Sequence, residues 1–125
     1  MRDQLLALLR HFMTPDDHRG DPAGFVATQA AHFGAIGVPS AWAALAIGGS
    51  PILALGAVAV GYAAIETAQA RFGPQSLRDA VTDASFVLLG ASFFITAAAG
   101  AHVAAAVCLA SALGGVIWGA SIRHG

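Results

Sequence analysis

The stretch Ala84–Ile122 decides the fold. It reads ASFVLLGASFFITAAAGAHVAAAVCLASALGGVIWGASI, which is 39 residues without an Asp, Glu, Arg or Lys. One helical membrane span needs about 20 mainly apolar residues. The stretch therefore predicts two spans with a break near Ala99–His102, and a re-entrant hairpin at the same place is the alternative.

The rest of the chain is almost as poor in charge. Charged residues make up 10% of the 125 residues and hydrophobic residues 57%, and the mean hydropathy is +0.70. A typical soluble domain has about 25% charged residues. These values predict an all-α polytopic membrane protein, a bundle of about four helices. Between Ala23 and Ile122 the charged side chains are Glu66, Arg71, Arg78, Asp79 and Asp83.

Two parts of the chain are distinguished by their polarity. In residues 1–21, apolar side chains recur at helical spacing from Leu5 to Met13 and a polar turn follows. This pattern predicts a short amphipathic helix that lies on the membrane surface. Residues 22–125 are predicted to form the four-helix transmembrane domain.

Capping signals give the helix boundaries. Asp21 followed by proline is a typical helix start, so the first span is predicted over Pro22–Ile47, with a kink at Pro39 because proline disturbs a helix interior. A Gly-Gly-Ser-Pro turn precedes the second span, predicted over Pro51–Ala70. The sequence Ser-Leu-Arg-Asp matches a capping box, which starts the third helix near Leu77.

The arginines indicate the orientation. With four spans, the N-terminus, the loop at 71–78 and the C-terminus lie on one side, and these three places hold all six Arg residues. By the positive-inside rule both termini are cytoplasmic. A Lys-free chain rich in Ala and Gly is typical of a bacterial or phage protein, so the bacterial inner membrane is the predicted location.

Polar groups inside the predicted spans are the candidate binding residues, because such groups are costly in lipid and are usually functional. On the second span Glu66 and Gln69 share a face with Tyr62, and on the third span Asp79 and Asp83 share a face. His32 lies in the cytoplasmic half of the first span, next to Gln29. The predicted binding residues are His32, Glu66, Gln69, Asp79 and Asp83.

If these faces converge, they form a polar pocket open to the cytoplasm that suits proton exchange, binding of a polar headgroup, or binding of a divalent cation. Simpler roles are possible for each residue. Glu66 and Asp79 could be interfacial anchors beside Arg71 and Arg78, and His32 could hydrogen-bond between helices.

Other side chains are interpreted as packing residues. Gly115 and Gly119 form a GxxxG pattern that suits close helix packing. Trp42, Tyr62 and Trp118 are interpreted as packing or membrane-interface anchors rather than cofactor contacts.

The segment from Glu66 to Gly90, ETAQARFGPQSLRDAVTDASFVLLG, resembles the core of VanZ-like membrane proteins. Glu66 and Gln69 match the Glu and Gln that end one span in that family. Asp83 with Gly90 matches the Asp and Gly of the next span, with Val87 in place of Asn. Alternatively Asp79 takes the Asp position and Asp83 the Asn position. His32 resembles a His on an earlier span, and the resemblance implies a small helical membrane protein with a polar intramembrane cluster, linked in some members to glycopeptide tolerance.

Three hypotheses for the function follow. The first is a VanZ-like cell-envelope protein whose polar cluster binds an ion, a proton or a polar headgroup. The second is a holin-type pore former, and the third is a membrane subunit or assembly factor that binds partner helices. The expected partners are the lipid bilayer and other membrane proteins or further copies of the chain. The net charge of −1 gives no indication of nucleic-acid binding. No nucleophile with a base is visible, so an enzyme is not favoured, and no cofactor is indicated.

Overall fold

The computed structural model describes Gln4, Leu6 and residues 18–71 and 76–123. All regular secondary structure in these residues is helical. The elements are α1 (Pro22–Ala31), a π-helical segment (His32–Gly37), α2 (Val38–Ala46), α3 (Pro51–Gln69), α4 (Leu77–Ala98) and α5 (His102–Ser121). The predicted amphipathic helix in residues 1–21 lies almost wholly outside the described residues.

The first helical run continues from Pro22 to Ala46 through a change of helix type. The Asp21 carboxylate caps its start by accepting a hydrogen bond of 2.8 Å from the backbone N–H of Gly24. The wider turns of the π-helical segment end just before Pro39, and the Val38 N–H bonds to the Phe33 carbonyl. Proline has no N–H and its ring clashes with the carbonyl four residues earlier in an α-helix. The sequence predicts a kink at Pro39, and the structure has a π-helical segment that ends two residues before this proline.

The later helices begin and end where the sequence predicts. The Ser50 hydroxyl caps α3 by accepting from the Leu53 N–H at 3.3 Å, and the Ser76 hydroxyl caps α4 by accepting from the Asp79 N–H at 3.0 Å. Gly100 has a φ of 74°, a left-handed conformation that suits glycine after a helix end. The predicted break near Ala99–His102 is confirmed, and it separates two complete helices.

Three helices, α3, α4 and α5, are long and apolar enough to cross a membrane. They support a helical membrane protein. The first run is divided into pieces of ten, six and nine residues, and none of these pieces alone is long enough to cross a membrane. The count of four spans therefore stays a prediction.

Helix α4 is the centre of the bundle and packs against the π-helical segment, α2, α3 and α5. One apolar cluster surrounds Val87 and Ala91 of α4, and a second joins Phe86 to Phe25 and Ala112. Many other apolar side chains face outward, with Trp42 61% and Trp118 65% exposed. An outward apolar surface is expected of helices that lie in lipid.

The contacts also give the directions of the helices. Gly119 and Gly115 of α5 face Phe25 and Phe86 respectively. Because α5 follows α4 after the short turn at 99–101 and packs against it, α5 runs antiparallel to α4. The first run and α4 are parallel, because Gln29 meets Asp83 near the start of both and Gly37 meets Gly90 further along. The GxxxG pattern thus packs inside this chain, and an added methyl at Gly119 would meet the Phe25 ring.

Two helical backbones approach each other closely at Gly37 and Gly90. A Cβ placed on Gly37 would meet the Val87 carbonyl and would lie 3.1 Å from the Gly90 Cα. A Cβ placed on Gly90 would meet the Phe33 carbonyl. Because the obstructing atoms are backbone, a side chain at either position forces the first run away from α4.

We expect Gly90→Ala to lower the free energy of unfolding by about 2 kcal/mol, the usual cost of overpacking a tight contact. Gly34→Ala is the matched control, because a Cβ added there has no atom within 4 Å apart from its chain neighbours and the backbone of its own helical turns. Replacing a helical glycine by alanine without a clash stabilises by about 0.5 kcal/mol. Unfolding of the purified variants in detergent measures both values, and equal stabilities would contradict the close contact.

A buried polar network between three helices

The first run brings a glutamine against the acidic face of α4. Asp83 is 8% exposed and Gln29 only 1% exposed. The Gln29 side-chain N–H donates to the Asp83 Oδ1 at 2.7 Å. A buried carboxylate is costly unless it accepts hydrogen bonds, so this amide stabilises the position of Asp83 between the helices.

His32 lies between Asp83 and α3. Its Nδ1 is 3.3 Å from the Asp83 Oδ1 and 3.4 Å from the Gln29 side-chain oxygen. Both of these oxygens are acceptors, so Nδ1 carries the hydrogen in the neutral ring. The other ring nitrogen, Nε2, is 3.0 Å from the Tyr62 hydroxyl and accepts a hydrogen bond from it. The two rings meet edge to face, with centroids 5.7 Å apart.

Glu66 is one helical turn from Tyr62 on α3, and its carboxylate is a second acceptor for the Tyr62 hydroxyl, whose single hydrogen is directed to either Glu66 or the His32 Nε2 at one time. Asp83, His32, Tyr62 and Glu66 therefore form a continuous series of polar contacts from α4, across the first run, to α3. We call these four residues with Gln29 the polar network. It contains two carboxylates separated by an imidazole and a phenol.

The structure brings together three of the five residues predicted to bind: His32, Glu66 and Asp83. Asp79 is also buried, one turn earlier on α4; it lines a cavity with arginines, and its charge also acts on Tyr62 of the network. Gln69 is half-buried at the last position of α3. Glu66 and Asp79 are 8% and 5% exposed, and Asp79 lines the same cavity as Arg78. The alternative that these acids are interfacial anchors beside Arg71 and Arg78 stays a prediction.

Two members of the network, Gln29 and Tyr62, were not among the predicted binding residues. The Tyr62 ring packs in the apolar cluster as interpreted, and its hydroxyl bonds to His32. The sequence does contain a signal for both, because Gln29 precedes His32 by three residues and Tyr62 precedes Glu66 by four. Such spacings place polar groups on one helix face, where an amide or a hydroxyl at membrane depth requires a partner.

A metal site is not observed in the described residues, where no three His, Cys, Asp or Glu side chains are arranged to hold an ion. The polar contacts of His32 are instead made with Gln29, Tyr62 and Asp83. The network is therefore described more simply by hydrogen bonds than by metal coordination.

Comparison with protein-family models, with curated proteins and with solved structures found no match for this chain. The resemblance of Glu66–Gly90 to VanZ-like proteins stays a prediction.

We expect Tyr62→Phe to keep the fold, because the ring remains in its apolar surroundings, and to lower the free energy of unfolding by about 1 kcal/mol, typical of one lost hydrogen bond. The His32 Nε2 loses its donor, so its nitrogen-15 NMR signal should shift. His102, which is exposed at the start of α5, is the internal reference. An unchanged His32 signal would contradict the contact with Tyr62.

Proposed function

We propose that this protein is a small integral membrane protein of four spans that uses the polar network as a proton relay. The observation that carries the proposal is the position of His32, whose two ring nitrogens face Asp83 on one side and Tyr62 on the other. An imidazole is the side chain best suited to accept a proton at one nitrogen and release one from the other near neutral pH.

The four-span arrangement is supported by the helix directions and by charge. The first run is parallel to α4, and α5 is antiparallel to both. Helix α3 is antiparallel to the first run, because the turn at 47–50 joins them and Tyr62 meets His32. These directions are expected if each run crosses the bilayer in turn. Arg19, Arg78 and Arg123 meet at one end of the bundle. We infer that this end is cytoplasmic, in the inner membrane of a bacterium.

The relay has a defined sequence of hydrogen-bond changes. In neutral His32, Nδ1–H donates to Asp83 and Nε2 accepts from the Tyr62 hydroxyl. When Glu66 carries a proton, this proton moves to the Tyr62 oxygen while the hydroxyl hydrogen moves to Nε2, which then donates to the Tyr62 oxygen. Transfer of the Nδ1 proton to Asp83 returns the ring to a neutral form. The net result is that Glu66 has lost one proton and Asp83 has gained one.

The surroundings of the network suit this chemistry. Asp83 and Glu66 are nearly enclosed, so few waters compete for the hydrogen bonds, and a low local dielectric strengthens each polar contact. The carboxylates stabilise the cationic imidazole on either side. A VanZ-like relationship, if correct, would place Glu66, Asp83 and His32 at the polar cluster of that family.

Pore formation through the GxxxG surface has less support, because Gly115 and Gly119 pack against Phe86 and Phe25 of the same chain. A holin-type pore or a partner-binding subunit would also have no need of a buried series of hydrogen bonds. The relay is therefore the better-supported function, and a pore is one outcome of the test below.

The test measures proton entry into vesicles that contain the purified protein and a trapped pH-sensitive dye, under an imposed pH gradient. We expect the wild type to acidify the vesicles at least about tenfold faster than the Glu66→Gln/Asp83→Asn variant, since removing a positioned acid or base typically costs a hundredfold or more. His102→Gln is the matched control and should behave as the wild type.

Equal rates for the wild type and the double variant would overturn the relay. If both proteins also release a larger trapped dye, the holin-type pore is the correct function. Folding of each variant is checked by its helical circular dichroism before the rates are compared.

A further inference from the structure

Gln29 contacts both the residue that gives up the proton in the last step of the relay and the residue that receives it. It is 1% exposed, the lowest value among the buried polar residues that the structure describes. One end of its amide, Nε2, donates to the Asp83 Oδ1 at 2.7 Å, and the other end, Oε1, lies 3.4 Å from the His32 Nδ1. Because the His32 Nδ1 is also 3.3 Å from the Asp83 Oδ1, the three groups form a closed triangle.

The observed orientation of the amide suits the network before the proton is transferred. In that state the His32 Nδ1 carries a hydrogen and the Asp83 carboxylate is an acceptor, so each end of the amide faces a group of the opposite kind. After the transfer, Nδ1 is an acceptor that faces another acceptor, the Gln29 Oε1. The new hydroxyl of Asp83 faces the amide N–H, so two donors meet. Both contacts then oppose the transfer, since a buried polar group without a matching partner is costly.

A half-turn of the amide restores both contacts. The last torsion of a glutamine side chain has broad, roughly two-fold wells, so both orientations are accessible to it. After the half-turn, Nε2 donates to the bare His32 Nδ1 and Oε1 accepts from the Asp83 hydroxyl. The rotation exchanges hydrogen bonds and neither forms nor breaks a covalent bond. Water is a poor substitute for the amide here, because Gln29 is almost fully enclosed.

We propose that Gln29 is a positioning residue of the relay, whose amide reverses when a proton reaches Asp83 and then holds the proton there. In the reversed orientation the amide N–H occupies the lone pair of the His32 Nδ1, and the Asp83 hydroxyl is directed to the Gln29 Oε1. Return of the proton to His32 therefore requires the amide to turn back. The inference rests on the proton relay and gives it a direction, from Glu66 to Asp83.

Few titratable groups can act on this amide. The titratable and charged side chains on the elements packed against α1 are His32 on the π-helical segment, Arg78, Asp79 and Asp83 on α4, and His102 and Cys108 on α5. Of these, His32 and Asp83 are the two that make hydrogen-bond contacts with Gln29 in the described residues. A change of pH therefore reaches the amide through the two groups between which the proton is transferred.

Nuclear magnetic resonance of the purified wild type in detergent tests the reversal directly. A coupling between two nitrogen-15 nuclei is transmitted through an N–H···N hydrogen bond, and here it requires the Gln29 Nε2 to donate to the His32 Nδ1. We expect the coupling to be absent while Asp83 is ionised and to appear on mild acidification, together with a shift of the His32 ring nitrogens. The chain has four glutamines, and the Gln29 signal is the one that Gln29→Leu lacks.

Proton entry into vesicles tests the consequence for the relay. Gln29→Leu removes both polar ends of the side chain and keeps a similar volume. We expect it to slow proton entry at least about tenfold, because misplacing a reacting group by about 1 Å can cost about a hundredfold in rate. Thr82→Val is the matched control, since it also replaces a polar by an apolar side chain and its hydroxyl donates to the Arg78 carbonyl of its own helix at 2.8 Å. It should behave as the wild type.

The two measurements separate the failure of this inference from the failure of the relay. A coupling that appears on acidification, together with slow proton entry in Gln29→Leu, supports the reversal. If the wild type moves protons but the coupling stays absent, or if Gln29→Leu is as fast as the wild type, the reversal is overturned and the relay stands. If the wild type is no faster than Glu66→Gln/Asp83→Asn, the relay is wrong and the inference is overturned with it. Should Gln29→Leu fail to fold, the coupling in the wild type decides.

Discussion

The contact between the backbones at Gly37 and Gly90 is the constraint on which the rest of the structure depends. It lets the first helical run lie directly against α4 without intervening side chains. Because the two run parallel, the same contact brings Gln29 and His32 beside Asp83, about two turns nearer the start of α4. A side chain at either glycine would separate the helices and break the hydrogen bond between Gln29 and Asp83. The packing of two small residues therefore sets the geometry of the polar network.

The geometry of the polar network also depends on the π-helical segment. It contains both His32 and Gly37, so the irregular turns link the imidazole to the glycine contact. π-helical turns are rare and are often found at functional sites. Here the segment also avoids the clash that Pro39 would cause in a regular α-helix. The π-helical segment thus accommodates Pro39 in the helical run and places His32 between α3 and α4.

The structure also separates the two kinds of polar surface in this protein. The polar network joins acids to an imidazole and a phenol inside the bundle, whereas the arginines meet at its end. Asp79 and Asp83 are one turn apart on α4: Asp83 accepts a hydrogen bond from Gln29, whereas Asp79 lines the cavity with the arginines.

Much of the fold follows from local sequence signals. Asp21, Ser50 and Ser76 mark helix starts because capping depends only on neighbouring residues, and Gly100 marks a break for the same reason. The faces that carry His32, Glu66 and Asp83 follow from helical periodicity.

The other features depend on contacts between helices and could not be read from one helix at a time. The π-helical segment is signalled only by the nearby Pro39, and its length depends on the packing against α4. The hydroxyl of Tyr62 hydrogen-bonds to His32 on another helix, and the amide of Gln29 hydrogen-bonds to Asp83. Gly115 and Gly119 predict close packing, but the sequence does not say that their neighbours are Phe86 and Phe25 of the same chain.

The most direct test of the account is an infrared difference spectrum of the protein in membranes, recorded on acidification. If His32 connects the two acids, the wild type should show carboxylic-acid changes of Asp83 or Glu66 together with imidazole and tyrosine changes. His32→Gln should remove or shift the carboxylic-acid changes, and His102→Gln should not. Carboxylic-acid changes that are identical in the wild type and in His32→Gln would contradict the account, because the acids would then take up protons independently of the imidazole.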